Sequence, residues 1–221
     1  MIKDNYINQY LKQTQDIYGD KLFIKIKSFP KDSDVFEHSL DEYCNSINMC
    51  QECQLGKTRK KFVFGVGDKN ADLLLVGEAP GEKEDLEGIP FVGRAGKLLD
   101  KILAAISLSR DRGVYICNVL KCRPPNNRDP LPSEIEKCEP YLKKQINFIK
   151  PKLIVALGRV AAKTLLKNDL SLKEMRSIKH DYYGTPLVAT YHPAALLRNQ
   201  NLKPAAWEDF KWIRRLIRES K

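Results

Sequence analysis

Four short apolar runs recur along the chain, residues 72–76, 114–119, 153–157 and 186–190, and the stretches between them carry apolar residues at helical spacing. An apolar run without polar alternation marks a strand covered on both faces, and strands separated by helices are joined by crossovers that leave them parallel. The expected fold is therefore α/β: a three-layer α/β/α sandwich with a mostly parallel central sheet. The 221 residues suffice for one such domain with an extension and fall short of two.

The helical stretches have legible limits. After Gly93, the residues Leu98, Leu99, Ile102, Leu103 and Ile106 share one face. Ser133, with Glu136 three residues later, gives a capping-box pattern for a helix carrying Ile135, Cys138, Leu142, Ile146 and Ile149 and stopping at Lys150-Pro151. Residues 160–166 predict a further helix, and residues 204–219 a last one with Trp207, Phe210, Ile213 and Leu216 inward. Residues 1–43 read as an N-terminal helical extension. There Ile7, Tyr10, Leu11, Ile17 and Tyr18 suit an amphipathic helix, residues 22–28 a strand or connector, and Ser33 a cap ahead of Val35, Phe36, Leu40 and Tyr43. The main domain is expected over residues 44–221.

In an open parallel sheet, ligands bind beyond the carboxyl ends of the strands. The chain concentrates its unusual residues there. The first run leads into Gly77-Glu78-Ala79-Pro80-Gly81-Glu82-Lys83-Glu84-Asp85 and on to Pro90-Phe91-Val92-Gly93, an acidic loop whose glycines and prolines are turn chemistry. Asn118 ends the second run, and Tyr191-His192-Pro193 follows the last. The topology predicts that residues 77–93, Asn118 and His192 meet at one mouth.

Six cysteines need a different account. Cys50 and Cys53 form a CxxC pair in a polar loop ahead of Gly56, and Cys122 and Cys138 stand with fifteen residues between them. In a reducing compartment structural disulfides are a poor explanation, and no strand precedes Cys50 as a thioredoxin-like pair would require. Four thiolates from two arms suit a tetrahedral zinc or an iron-sulfur cluster, and spacing alone does not separate the two. Cys117 lies within an apolar run and reads as core; Cys44 sits on a helix outside the set.

No run reaches the length of a membrane span and residues 1–6 lack the apolar centre of a signal peptide, so a cytoplasmic protein is expected. The net charge of +10 favours a polyanionic partner such as nucleic acid, although many basic proteins never bind one.

Taken together, Gly77-Glu78-Ala79-Pro80-Gly81, the Cys50/Cys53 pair, Cys122 with Cys138, Asn118 at a strand end and His192-Pro193-Ala194-Ala195-Leu196-Leu197-Arg198 resemble the family 4, iron-sulfur uracil-DNA glycosylases over residues 44–218. The resemblance implies a [4Fe-4S] cluster on Cys50, Cys53, Cys122 and Cys138, a monomer acting on uracil-containing DNA, and hydrolysis of the glycosidic bond to leave an abasic site. It implies a pocket built from Gly77, Glu78, Ala79, Phe91, Asn118 and His192. Asn118 would read the uracil edge, Phe91 stack on the base, and His192 stabilise the departing anion, with backbone N–H groups near Glu78 and Ala79 assisting. Better-known uracil glycosylases carry an aspartate where Ala79 stands, which shifts the acidic role to Glu78, Glu84 or Asp85. Glu84 is expected near the pocket floor and Glu78 nearer the sugar. DNA contacts are expected from Leu196 or Leu197 as a wedge and from Arg198, Arg123, Arg128 and Lys121 on phosphates. Two other readings stand beside turnover: a catalytically silent DNA-binding relative, and one that traps uracil-containing DNA covalently. The family of the latter type carries a basic insertion ending in histidine, and residues 123–128 here contain none.

Overall fold

The computed structural model describes residues 39–219. Six strands form one sheet: β1 (Val66–Gly67), β2 (Leu73–Gly77), β3 (Val114–Asn118), β4 (Leu153–Leu157), β5 (His180–Tyr182) and β6 (Thr185–Thr190). Their order is β1-β3-β2-β4-β6-β5, with β3, β2, β4 and β6 parallel and the two short edge strands antiparallel. The fully buried residues of β2, β3 and β4 explain the unbroken apolar runs, because side chains on both faces meet helices.

Alternate residues feed two cores. Leu74, Val76, Tyr115, Cys117, Ile154, Ala156, Leu187 and Ala189 face α1 (Leu40–Ile47), α5 (Pro132–Ile149) and α6 (Arg159–Leu166). Leu73, Leu75, Val114, Ile116, Leu153, Val155 and Val188 face α4 (Arg94–Ala105) and α9 (Lys203–Glu219). Between these lie the short helices α2 (Leu55–Thr58), α3 (Glu82–Glu87), α7 (Leu172–Met175) and α8 (Pro193–Arg198). The three-layer α/β/α sandwich is thus present as the unbroken apolar runs demanded.

Several local expectations shift. α5 begins at Pro132, one residue before Ser133, because proline's fixed φ suits the first helical position and its missing N–H costs nothing there. Glu134, not Glu136, reaches back to the Leu131 N–H at 2.9 Å. On α9 the buried stripe is Ala206, Phe210, Ile213 and Ile217, a four-three-four spacing that leaves Trp207 39% exposed. The edge hairpin β5–β6, unmarked by any strong alternation, turns through Tyr183 and Gly184, both at positive φ as a two-residue hairpin requires. α1 starts after Ser39, whose hydroxyl and backbone exchange hydrogen bonds with Glu42. Leu40 and Tyr43 of that helix belong to the first core, so the boundary expected at residue 44 falls inside an element. The helix over residues 7–18, the segment 22–28 and the Ser33 cap lie outside the described residues.

Register sets the site. Gly77 pairs with Asn118 and Leu157 with Thr190, so the loops after β2, β3, β4 and β6 leave the sheet side by side.

Candidate active site and cysteine centre

A cleft of about 540 Å³ opens at those strand ends, within the usual range for a small-molecule pocket. Glu78, Ala79, Phe91, Asn118 and His192 all line it, which brings together the residues expected at one mouth. Asn118 lies at its base, 2% exposed, and its Oδ1 has no hydrogen-bond partner. Buried acceptors are nearly always paired, so an orphan on a residue that lines a cleft marks a place where a ligand donor belongs. Gly77 is required beside it for space: a Cβ there would come within 2.7 Å of Phe91 Cζ and would overlap Asn118 Oδ1.

Phe91 holds a left-handed backbone, φ +56°, which costs energy for an aromatic residue and needs external support. Arg110 supplies it, donating to the Pro90 carbonyl at 2.8 Å and the Phe91 carbonyl at 2.5 Å, while its Nε pairs with Asp100 at 2.7 Å. Gly96 leaves room for that carbonyl, which any side chain would strike. From the other side, Glu84 Oε1 accepts the Val92 and Gly93 N–H groups, each at 3.0 Å, and so pins the loop that enters α4. The ring thus fixed lies 5.4 Å from the His192 imidazole at an angle of 30°. Glu84 lies in the cleft, as expected, but one of its oxygens is committed to holding the Phe91 loop.

His192 is the N-cap of α8, and its Nδ1 accepts the Ala194 N–H at 3.1 Å. An accepting Nδ1 in a neutral ring assigns the proton to Nε2. Burial, then the nearby Arg198, push its pKa down to about 4, with Glu84 pulling weakly the other way, so the ring is a neutral donor at physiological pH. Gly158, at φ +96°, runs past it with no space for a side chain, whose Cβ would lie 2.9 Å from that of His192. Behind the strand end, Arg176 forms a fork with Asp209 at 2.8 and 2.9 Å and donates to the Tyr191 hydroxyl at 3.1 Å; Thr190 donates to Asp209 at 2.6 Å. That network holds Tyr191 in place directly before His192.

Glu78 makes no hydrogen bond through its side chain among the described residues. Burial first, and Asp129 second, raise its pKa to about 7 against the opposing charge of Arg159. It is the cleft carboxyl whose charge changes near neutrality, whereas Ala79 offers no acid.

The expected DNA contacts separate. Leu196 is 1% exposed and packs inside, so it cannot serve as a wedge without unfolding α8; the half-buried Leu197 follows it. Arg198 is exposed at the cleft. Arg123 is half-buried, donating to Asn127 at 2.8 Å with Glu82 3.8 Å away. Arg128 spends its fork on Glu134 at 2.6 and 2.9 Å. Lys121 is 0% exposed and is no phosphate contact; its ammonium donates to the Asn118 carbonyl at 2.7 Å and to Gln145 at 2.5 Å.

On the flank, Cys50, Cys53, Cys122 and Cys138 rim one cavity with Gly56, Arg59 and Tyr141, all four as free thiols. Among the described residues no three Cys, His, Asp or Glu side chains close on a point as one ion requires. Donors surround the sulfurs: the Tyr141 hydroxyl to Cys50 at 3.1 Å, Arg59 to Cys122 at 3.4 Å, and the Lys121 backbone N–H to Cys138 at 3.3 Å. Arg59 also donates to the carbonyls of Cys50 at 2.5 Å and Asn48 at 2.8 Å, bracing the CxxC loop. Gly56 lets that loop fold back, since a Cβ would lie 2.8 Å from the Cys50 carbonyl. Burial pushes the Cys138 thiol up to about 12, opposed by the Lys121 charge. Cys117 is buried within β3 and Cys44 lies on α1, both apart from the set.

Residues 64–211 match the model of the uracil DNA glycosylase superfamily. The chain is 48% identical over 183 residues to a type-4 uracil-DNA glycosylase of Archaeoglobus fulgidus, covering 79% of this chain and 92% of the relative. The chain belongs to the type-4 uracil-DNA glycosylase family. Further members are 42% identical in Saccharolobus solfataricus, covering 81% of this chain and 87% of that one, and 38% identical in Thermotoga maritima, covering 83% and 97%. Arg110, Arg176, Tyr141 and Gln145, which hold these type-4 residues in place, were invisible to spacing, because each reaches its partner across a distant part of the chain. Arg59, close to the CxxC arm, could have been suspected there.

Proposed function

We propose that the protein removes uracil from DNA in base excision repair, flipping the nucleotide into the strand-end cleft and hydrolysing its glycosidic bond. The observation that carries this reading is the orphaned Asn118 Oδ1 set beside a neutral, singly protonated His192 in the same cleft. Asn118 accepts from uracil N3–H and donates to O4. Cytosine offers the reverse pattern and leaves both groups unpaired in a dry site. Phe91 stacks on the flipped base. As the bond breaks, negative charge gathers on uracil, and His192 Nε2–H hydrogen-bonds O2. A neutral donor suffices, and its low pKa keeps it one. Glu78, ionised above about pH 7, sits toward the sugar, where it stabilises the developing cation and orients water. Glu84 acts by positioning the Phe91 loop.

Cys50, Cys53, Cys122 and Cys138 are the residues that would hold a [4Fe-4S] cluster. Four free thiols around one cavity, Cys122 and Cys138 buried and Cys50 and Cys53 half-buried, with hydrogen-bond donors turned toward them, fit an anionic metal-sulfur group. When bound, the group supplies a redox-capable inorganic cross-link between the CxxC loop, the segment after β3 and α5. Burial keeps the Cys138 thiol protonated, and a bound metal would displace that proton.

Leu197 is the wedge in this reading, with Arg198 and Arg123 on phosphates. The protein works as a cytoplasmic monomer, with an N-terminal extension ahead of the glycosylase domain. Among the described residues no helix is long and apolar enough to cross a membrane. Turnover is favoured over covalent capture because the cleft loop after Cys122 supplies no histidine. An oligonucleotide with one uracil, incubated with wild type, Asn118→Ala and His192→Ala, tests the reading. Alkali-cleavable abasic product from wild type is expected; a denaturant-stable adduct, or binding without cleavage, contradicts it.

A further inference from the structure

Lys121 is the one lysine among the described residues that is completely buried, and its charge has no carboxylate partner. Its side chain donates to two neutral oxygens, the Asn118 carbonyl at 2.7 Å and Gln145 Oε1 at 2.5 Å. Gln145 in turn donates to the Phe64 carbonyl at 2.9 Å, which fixes its amide with the oxygen toward the ammonium. The same residue's backbone N–H reaches Cys138 Sγ at 3.3 Å, and the next residue is Cys122. A buried cation without an anion is costly, and nothing in the chain's own carboxylates offsets this one. Four thiolates on the adjoining flank would.

Resting on the cluster reading above, we propose that Lys121 is a positioning residue that couples the iron-sulfur site to the uracil-reading strand end. Its ammonium offsets the negative charge of the thiolate-ligated group, and the same N–H bonds hold the Asn118 main chain, and with it the amide, at the cleft floor. The cysteine site is thereby part of what sets base selectivity, through one side chain and without electron transfer. Gln145 is the second half of the clamp: it is neutral and its side chain hydrogen-bonds Lys121 and the Phe64 carbonyl, so it separates position from charge.

The test uses anaerobically purified full-length protein: wild type, Lys121→Met, Lys121→Arg and Gln145→Leu. Iron content and visible absorption, cluster midpoint potential by voltammetry, and kcat/KM on uracil oligonucleotide per iron-loaded protein are measured. Lys121→Met is expected to move the potential to more negative values and to lower kcat/KM about tenfold or more, the scale of a lost charge-assisted hydrogen bond. Lys121→Arg is expected to restore the potential in part. Gln145→Leu is expected to lower kcat/KM with the potential unchanged, and it carries the positioning half of the test if Lys121→Met fails to retain iron. A merely structural lysine would change thermal stability alone; unchanged potential and unchanged kcat/KM per iron-loaded Lys121→Met, or an unchanged kcat/KM in Gln145→Leu, overturn the proposal. Wild-type protein without iron overturns the cluster reading, and this inference with it, before any variant is compared.

Discussion

The cleft and the cysteine centre are built on opposite electrostatic plans, although Lys121 alone separates Asn118 from Cys138 in the chain of contacts. In the cleft, polar groups are left wanting. Asn118 Oδ1 lacks a donor, Glu78 resists ionisation until about pH 7, and His192 is kept neutral. Around the sulfurs the opposite holds, with Arg59, Tyr141 and the Lys121 N–H already turned toward them. A site that must admit and release a ligand keeps its groups unpaired at the cost of stability; a site for a resident anionic group surrounds it with permanent donors. The contrast teaches that orphaned polar atoms mark where substrate comes and goes, and converging donors mark what stays.

Substitutions should therefore split into two classes. The largest effect is expected from His192→Ala, which removes the donor to the leaving uracil and lowers kcat by about 10²–10³-fold; iron content should be unaltered, and a variant that also loses iron would blur the division. Next, Gly77→Ala pushes a methyl group between Phe91 and Asn118. Uracil excision is expected to fall about tenfold to a hundredfold with the visible spectrum intact, since overpacking of roughly 1–3 kcal/mol is confined to the cleft. Third, Glu78→Gln should abolish the acid limb of the pH–rate profile. In wild type the carboxylate fraction grows as pH rises through about 7, so activity should climb across that range, while His192 stays neutral until pH approaches 4. A profile flat from pH 5 to 9 would remove Glu78 from the mechanism. The stability consequence has a definite sign: a carboxyl whose folded pKa is raised favours the fold below its unfolded value and loses that contribution as pH rises through about 7. Glu78→Gln should therefore stabilise the protein at pH 8 more than at pH 5, by on the order of 1 kcal/mol once solvent access is allowed for. The smallest effect belongs to the other class: Arg59→Leu should hasten iron loss to a chelator a few-fold while leaving excision per iron-loaded protein unchanged.

Much of this division was legible in the chain, for a physical reason. Strand-end positions are set by short apolar runs, so Gly77, Asn118 and His192 could be placed at one mouth before any coordinates were known. The CxxC pair and the Cys122/Cys138 spacing likewise set four of the six cysteines apart, and those four do rim one cavity. What spacing could not show was the support. Arg110 stabilises the left-handed Phe91 from nineteen residues away, and Arg176 reaches Asp209 from thirty-three. Such contacts depend on how elements pack, and a surface-looking arginine carries no mark of them. Solvent exposure misled for the same reason. Lys121, a charged residue next to the Cys122 loop, and Leu196, on a short helix at the cleft, both point inward, because the segment after β3 reaches Gln145 of α5 and α8 offers one face to the core. On that helix Arg198 is exposed, and Ala194, Ala195 and Leu197 are half-buried.

The central claim, a neutral imidazole and an unpaired amide converging on one uracil, is tested most directly by a crystal structure of the protein with free uracil bound. Uracil N3–H donating to Asn118 Oδ1, O2 within hydrogen-bond reach of His192 Nε2, and Phe91 stacked on the ring are the expected result. Uracil bound elsewhere, or held in the cleft with Asn118 Oδ1 still unpaired, would contradict it.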